Sequence, residues 1–207
     1  MSYSSVILAV TFLFLRMPED RAGVNILPPP VTKRITILDG SKIYLEGTTN
    51  VSSFRCNCED YFEPIQIELE SEPTHFVFRK AHLRMTTRKL NCQNEKINRD
   101  MYLALKSEAY PFIRVELLDN WFDLNETRKL NTWFNVKARI KLTITNVTKE
   151  VYIQGTAKRL TADTYELKGS KFILMSAFGI DPPKAMFGMI RVNDSIGLHF
   201  YLKVRAE

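Results

Sequence analysis

The sequence lacks most of the patterns that mark an enzyme. Its 207 residues include only eight glycines, three histidines and three cysteines. It contains no Gly-x-Ser-x-Gly nucleophile motif, no His-Glu-x-x-His zinc motif, no glycine-rich phosphate loop and no dinucleotide-binding fingerprint. We therefore predict that the chain is not an enzyme and that it uses no cofactor.

The few residues that could support catalysis or bind a metal are scattered along the chain. His82 and Cys92 could form a base–nucleophile pair, but no spacing in the sequence brings them together. Three cysteines and dispersed histidines do not give the ligand spacing of a metal site, so no metal is predicted. An enzyme that acts on a lipid is an alternative, and it needs His82 or His199 beside a nucleophile.

The three cysteines are Cys56, Cys58 and Cys92. In an oxidising compartment they allow one disulfide and leave one thiol. A bond from Cys92 to either of the other two closes a loop that contributes roughly 3–4 kcal/mol to stability in the chain-entropy model. The residues alone leave both pairings open.

No apolar run is long enough to cross a bilayer as a helix, which takes about 20 residues. The run over residues 6–15 instead suits the hydrophobic part of an export signal, although residues 1–5 contain no Lys or Arg. We predict a signal peptide over residues 1–23 and a periplasmic or secreted protein. The alternative is an N-terminal strand or buried helix. Three consecutive prolines then indicate a stiff spacer over residues 24–34.

The net charge of +6 is moderate. It is compatible with attraction to an anionic membrane surface, and it falls short of the basic footprint of a nucleic-acid-binding protein. The densest basic run, residues 79–84, has no aromatic side chains interleaved with its charges, so it lacks a stacking platform for single strands. We predict no nucleic-acid partner and at most a peripheral contact with a membrane surface.

The sequence does have a repeated period of two. Because successive side chains of a strand point to opposite faces, such segments have one apolar and one polar face. The alternation runs through residues 43–45, 65–69, 113–117, 136–144 and 196–204. Turns are predicted at residues 146–149, 160–163 and 192–195. Several alternating strands joined by turns predict an antiparallel sandwich or barrel over residues 35–207.

One segment breaks this period. Residues 94–107 place Ile97, Met101 and Leu105 four positions apart, which is typical of one stripe of an amphipathic helix. The helix must end before Pro111, because the residue before a proline disfavours helical geometry. We predict one helix inserted between strands as a lid or plug for a barrel.

Adaptable apolar side chains surround one irregular loop, residues 181–185. Phe178, Met186, Phe187 and Met189 flank this loop. Methionine suits surfaces that hold flexible apolar partners, although ordinary core packing is the alternative role. Because loops at a barrel mouth control access to the interior, we predict that the loop 181–188, with Met186 and Phe187, faces the helix across the mouth and forms a gate with it.

An ordered set of segments resembles one known family. The segments are SKI (41–43), GTTNVSSF (47–54), the helix portion 98–106, YPFI (110–113), LTITNVTK (142–149), SAFGIDPP (176–183) and AMFG (185–188). Together they resemble the YceI-like family of lipocalin-like, lipid-binding proteins, particularly the variants found in Bacteroidetes, over roughly residues 35–206.

The resemblance implies an eight-stranded antiparallel barrel with an apolar tunnel, an export signal, and non-catalytic binding of a polyisoprenoid or similar long-chain amphiphile. It favours Cys56 as the partner of Cys92. Ala177 stands where many members have aspartate, so a polar contact made there is missing.

The apolar parity of the strands, together with the helix and the loop, predicts a tunnel lining. The predicted lining residues are Leu45, Ile67, Phe78, Met101, Leu105, Ile113, Val115, Ile140, Leu142, Ile173, Met175, Phe178, Met186, Phe187, Leu198 and Phe200. Each buried CH₂ contributes roughly 0.8 kcal/mol, so a long chain binds there without a specific polar contact. The alternative is a structural or interaction module without a ligand, whose barrel is filled by side chains such as Phe76, Phe78 and Phe200.

Overall fold

The computed structural model describes residues 29–72, 75–127 and 129–207. Within them the strands, in chain order, are β1 (Val31–Ile37), β2 (Lys42–Thr48), β3 (Ser53–Cys58), β4 (Ile65–Ser71), β5 (Phe76–Arg79), β6 (His82–Thr86), β7 (Leu90–Asn91), β8 (Phe112–Trp121), β9 (Trp133–Ile144), β10 (Val147–Arg159), β11 (Thr164–Leu174), β12 (Lys184–Ala185), β13 (Ile190–Arg191) and β14 (Ser195–Ala206). The helices are α1 (Glu95–Ala104) and α2 (Leu124–Thr127).

Eight of these strands form a ring of sheet that closes on itself. Their order is β1, β4, β5, β8, β9, β10, β11 and β14, and β14 returns to pair with β1. Neighbouring strands in the ring are antiparallel. The prediction of an all-β, eight-stranded antiparallel barrel with an inserted amphipathic helix is confirmed.

Strand β14 closes the ring because one of its edges pairs with two strands. Residues 204–206 pair with β1, whereas residues 197–201 pair with β2. β2 continues the sheet into β3 and β7, beyond the ring. On the opposite side, β8 pairs with β5 through residues 119–120 and with β6 through residues 112–116. Among the described strands nothing pairs β6 with β3 or β7, so the barrel wall is incomplete at this end.

The sheet begins earlier than predicted. β1 starts at Val31, inside the predicted spacer of residues 24–34, and Val31 pairs with Leu69 of β4. The sheet therefore extends beyond the predicted domain start at residue 35, because only the prolines lack the N–H that pairing requires and residue 31 already follows them. The predicted signal peptide, and the spacer up to residue 28, lie outside the described residues.

The hairpin of β9 and β10 is tighter than predicted. Val147 already pairs with Ile144, so the predicted turn over residues 146–149 is wrong. The turn consists of Thr145, with a φ of 55°, and Asn146. The Thr145 hydroxyl donates to the carbonyl of Phe178 at 3.1 Å. This contact ties the tight turn to the segment that follows β11.

Helix α1 is shorter than the predicted range of residues 94–107. It begins after Asn94, whose side chain accepts hydrogen bonds from two backbone N–H groups of the first turn. It ends at Ala104 because Lys106 takes a left-handed φ of 50°. The N–H of Ser107 then bonds to the carbonyl of Tyr102 at 3.0 Å, as in a Schellman motif.

The core lies against the inner face of the ring. It combines alternate residues of the long strands with residues from the segment after β11, which shows that strand parity and the irregular segment build one interior. The buried members of this cluster are Leu90, Ile113, Ile140, Leu142, Ile144, Ile173, Phe178, Ile180 and Ile196.

Cys56 and Cys92 form a disulfide, and Cys58 remains a free thiol. Cys56 lies in the middle of β3 and is fully buried, while Cys92 follows β7 and precedes α1. Burial raises the pKa of the Cys58 thiol. Because exchange requires a thiolate, this shift slows attack of Cys58 on the neighbouring disulfide.

We expect the disulfide to supply much of the stability of the barrel end that carries α1. The bond spans 36 positions of sequence, so replacing both Cys56 and Cys92 with Ala is expected to lower the free energy of unfolding by about 3–4 kcal/mol. Urea unfolding without reductant measures this loss. Cys58→Ala is the matched control and is expected to lose much less. Equal stability of the double variant and the unmodified protein contradicts the prediction.

Candidate ligand-binding site

A cavity of about 270 Å³ lies inside one end of the barrel, between the strands and α1. Its apolar lining residues are Leu45, Phe54, Ile97, Met101, Ala104, Leu105, Ile113, Ile144, Ile173, Met175, Ile180, Pro183, Ile190, Val192, Ile196 and Leu198. The polar lining residues are Thr49, Ser52, Asn94, Lys96, Asp100 and Lys184. These polar residues come from the β2–β3 loop, the α1 region and β12, whereas the ring strands contribute only apolar side chains.

One disulfide and two hydrogen bonds hold α1 in place beside the cavity. The disulfide fixes Cys92, just before the helix, to β3. The Asn98 side chain accepts a hydrogen bond from the N–H of Cys92 at 2.7 Å, and the Tyr102 hydroxyl donates to the carbonyl of Leu90 at 2.8 Å. The first and last turns of α1 are thus attached to β7 and to the residue Cys92 that follows it, and Met101 lines the cavity.

Gly47 leaves room for one wall of the cavity. An added Cβ at Gly47 would lie 2.3 Å from Cζ of Phe54 and 2.8 Å from Cδ1 of Ile196, much closer than non-bonded carbons approach. Phe54 and Ile196 both line the cavity. The absence of a side chain at Gly47 therefore allows the Phe54 ring to lie across the strand as part of the lining.

The segment that follows β11 covers the barrel end. Its first turn places Phe178 in the core, where the side chain is 1% exposed. Asp194 holds this turn from the other side. One carboxylate oxygen accepts the N–H of Ser176 at 2.7 Å, and the other accepts the Ser176 hydroxyl. Donation from the Ser176 hydroxyl and N–H lowers the pKa of Asp194.

A small hairpin, β12–β13, continues this cover. The β2–β3 loop holds the hairpin through Asn50, whose amide donates to the carbonyl of Met189 at 2.9 Å and accepts the N–H of Arg191 at 2.9 Å. Lys184 and Ile190, from the two strands of the hairpin, line the cavity. Helix α1 and this hairpin therefore border the same cavity.

The predicted lining residues fall into two groups. Those on the cavity are Leu45, Met101, Leu105, Ile113, Ile173, Met175 and Leu198. Those that do not line it are Ile67, Phe78, Val115, Ile140, Leu142, Phe178, Met186, Phe187 and Phe200. Within the second group, Ile67, Ile140, Leu142 and Phe178 are buried, while Phe78, Val115 and Phe200 are half-buried.

Met186 and Phe187 lie at the hairpin tip, between β12 and β13, and are not among the residues that line the cavity. Their φ values of 48° and 55° are left-handed, and both side chains are exposed. Phe187 is fully exposed. The hairpin tip therefore presents these two side chains to solvent and not to the barrel interior.

The predicted strand residues that do not line the cavity lie at a different height along the barrel axis. Ile113 and Ile144, at the start of β8 and the end of β9, line the cavity. Towards the opposite ends of these strands, Phe122 and Phe134 contact each other with ring centroids 6.0 Å apart, and Phe76 stacks on Phe122 at 5.3 Å. Aromatic rings therefore occupy the end of the barrel away from the cavity.

The sequence pattern could have identified some of the cavity-lining residues that were not predicted, but not others. Ile144 and Ile196 are on the same parity as the predicted Leu142 and Leu198, so extending each pattern by one step finds them. Ile180, Pro183, Ile190 and Val192 belong to irregular backbone or two-residue strands and show no period. Only the fold brings that segment over the cavity.

The groups considered for other chemistry lie elsewhere. Cys92 is bonded to Cys56, so its thiol is not a nucleophile. His82 is exposed on β6, and His199 stacks on Tyr44 with ring centroids 4.9 Å apart. Across residues 29–72, 75–127 and 129–207, no cluster of three His, Cys, Asp or Glu side chains is placed to hold a metal ion. No helix in that part of the chain is long and apolar enough to cross a membrane.

Comparison with protein families shows which family the chain belongs to. The family model described as the YceI-like domain matches residues 39–204. The chain belongs to the YceI-like family. The resemblance noted from the sequence segments is thereby confirmed. Among curated proteins, no sequence matches this YceI-like chain significantly.

Solved structures share the fold at low sequence identity. A polyisoprenoid-binding domain from Saccharophagus degradans, implicated in plant cell wall breakdown, is 12% identical with a TM-score of 0.58, covering 84% of this chain and 98% of its own. BcnA of Burkholderia cenocepacia is 15% identical with a TM-score of 0.57, covering 79% of this chain and 95% of its own. At these identities the likeness establishes the YceI-like barrel architecture alone.

The Asp194 contact predicts a pH dependence of the cavity cover. Because its folded pKa lies below the ordinary value of 3.8, the carboxylate stabilises the fold above that value, and the contribution is lost as the pH falls through the folded pKa. Asp194→Asn is therefore expected to be less stable than the unmodified protein at pH 7, with the difference shrinking in acid. Urea unfolding of both proteins at pH 7 and at a pH below the folded pKa of Asp194 measures this difference in the free energy of unfolding.

The matched control for this test is Asp181→Asn, an exposed aspartate in the same segment. We expect the control to unfold like the unmodified protein at pH 7. A stability loss in Asp194→Asn that is the same at neutral and acid pH means that the charge of Asp194 is not what holds the turn.

Proposed function

We propose that this YceI-like protein binds a long apolar chain, a polyisoprenoid or similar lipid, in the cavity beside α1, without catalysing a reaction on it. The observation that carries the proposal is a cavity to which the ring strands contribute only apolar side chains, while its polar residues come from the β2–β3 loop, the α1 region and β12. Burial of a hydrocarbon against such walls is favourable by roughly 0.8 kcal/mol per CH₂.

The volume of the cavity limits how much of a bound hydrocarbon chain it can hold. About 270 Å³ is close to the lower end of small-molecule pockets, roughly 300–1,000 Å³. A long polyisoprenoid therefore occupies the cavity with one part of its chain and extends between α1 and the β12–β13 hairpin. Lys96 and Lys184 are among the lining residues of these two elements. Their ammonium groups suit a polar or anionic end group that remains near water.

The relatives support the same ligand class. The chain belongs to the YceI-like family, and a solved structure with the same architecture is a polyisoprenoid-binding domain. The disulfide supports an oxidising environment, as in the periplasm or outside the cell. We include export as part of the proposal.

The alternative of a barrel filled by its own side chains fits only one end of the molecule. Phe122 contacts both Phe76 and Phe134 there. The other end retains an apolar cavity. A natural apolar cavity of this size is costly, since its lining loses dispersion contacts, and a bound chain restores them. This cost favours a ligand over an empty structural module.

Charge at the cavity wall tests the site. Met101→Asp is expected to weaken retention of a radiolabelled long-chain isoprenoid alcohol, delivered from detergent, by at least about tenfold, because binding then desolvates an unpaired carboxylate. The matched control is Leu103→Asp, two positions further along the same helix and 70% exposed. Circular dichroism checks that the strands remain folded in both variants.

A second variant separates charge from space. Ala104→Phe adds apolar volume at another lining position, and it is expected to reduce retention without adding charge. If Met101→Asp and Ala104→Phe retain the isoprenoid as well as Leu103→Asp and the unmodified protein do, the chain does not bind in this cavity.

A further inference from the structure

The exposed apolar side chains are concentrated around the cavity end of the barrel. More than half of the exposed large hydrophobic residues in the described part of the chain lie on the β2–β3 loop, the end of β11 or the β12–β13 hairpin. They are Val51, Phe172, Leu174, Met186, Phe187 and Met189. Hydrogen bonds from Asn50 join the β2–β3 loop to the hairpin, so Val51 and Met189 belong to one connected structure.

The tip of the hairpin is built in an unfavourable way for a surface in water. Met186, Phe187 and Gly188 all have positive φ values, of 48°, 55° and 87°. Left-handed backbone is uncommon for large residues such as Met and Phe, whereas Asn, Asp and Gly adopt it readily. A hairpin tip exposed only to water does not need Met and Phe there. The tip thus combines an unfavourable backbone conformation with a fully exposed aromatic ring.

The hairpin itself carries charge of one sign. The sequence of residues 183–192 contains Lys184 and Arg191 and no Asp or Glu. Both basic side chains are exposed, and the Arg191 guanidinium donates to the carbonyl of Gly188 at 3.0 Å, close to the tip. An apolar tip with basic flanks matches the interface of a bilayer, in which phosphates lie above the acyl chains.

From this combination we propose that the β12–β13 hairpin docks the protein on an anionic lipid bilayer. Phe187, with Met186 and Met189, enters the boundary between headgroups and acyl chains, while Lys184 and Arg191 contact lipid phosphates. Lys184 and Ile190 of the same hairpin line the cavity, so docking brings the cavity mouth to the membrane. The docking itself does not depend on the proposed ligand and can be measured separately.

Vesicle co-sedimentation tests the docking surface. The exported protein, as its host processes it, is expected to bind vesicles that contain phosphatidylglycerol and phosphatidylcholine more tightly than vesicles of phosphatidylcholine alone. Phe187→Asp is expected to weaken binding to the anionic vesicles about tenfold or more, because a large apolar side chain loses its burial. The fold tolerates this change, since Phe187 is fully exposed and Asp accepts a positive φ.

A control and a charge variant separate the apolar contribution to vesicle binding from the electrostatic one. Tyr61→Asp introduces the same charge at a 75% exposed aromatic residue beyond β3 and is expected to bind vesicles like the unmodified protein. Arg191→Glu is expected to weaken binding to the anionic vesicles and to leave binding to vesicles of phosphatidylcholine alone unchanged. Phe187→Asp is expected to keep isoprenoid that was delivered from detergent, so failure of docking and failure of the cavity give different results.

Three results overturn the proposal. The first is no binding to either kind of vesicle. The second is vesicle binding that Phe187→Asp leaves unchanged. The third is self-association of the protein in the absence of vesicles that Phe187→Asp abolishes, which assigns the apolar tip to contact with a second copy of the chain.

Discussion

The structure depends on how the sheet closes through β14. This strand pairs with β1 along one part of its edge and with β2 along another, so the ring is complete at one end and branches at the other. An interior lined by apolar strand faces must be shielded from water at both ends. Aromatic rings occupy the complete end, while α1 and the segment after β11 border the branched end. The cavity is the space that α1 and the segment after β11 leave unfilled at the branched end.

Covalent and polar contacts keep the branched end in one arrangement. The disulfide ties the segment before α1 to β3, Tyr102 ties the last turn of α1 to β7, and Asp194 holds the turn that carries Phe178. None of these groups lines the cavity. The polar groups therefore fix the position of the apolar lining, while the lining itself stays free for an apolar ligand.

The period of two predicted the barrel because alternation reports which face of a strand is buried. It predicted Leu45 and Leu198 on the cavity, but it also selected Ile67 and Phe200, which have the correct parity and do not line it. Parity gives the face of a residue and not its height along the barrel. The irregular cover has no period, so Ile180 and the outward direction of the hairpin tip follow only from tertiary contacts and left-handed backbone.

Native mass spectrometry of the protein, purified without detergent from the organism that makes it, tests the central claim most directly. We expect a complex heavier than the chain by the mass of one apolar ligand, and we expect that mass to be lost when the protein is denatured and extracted with organic solvent. A spectrum that contains only the mass of the chain, from protein whose Cys56–Cys92 disulfide is intact, contradicts the claim that the cavity holds a lipid.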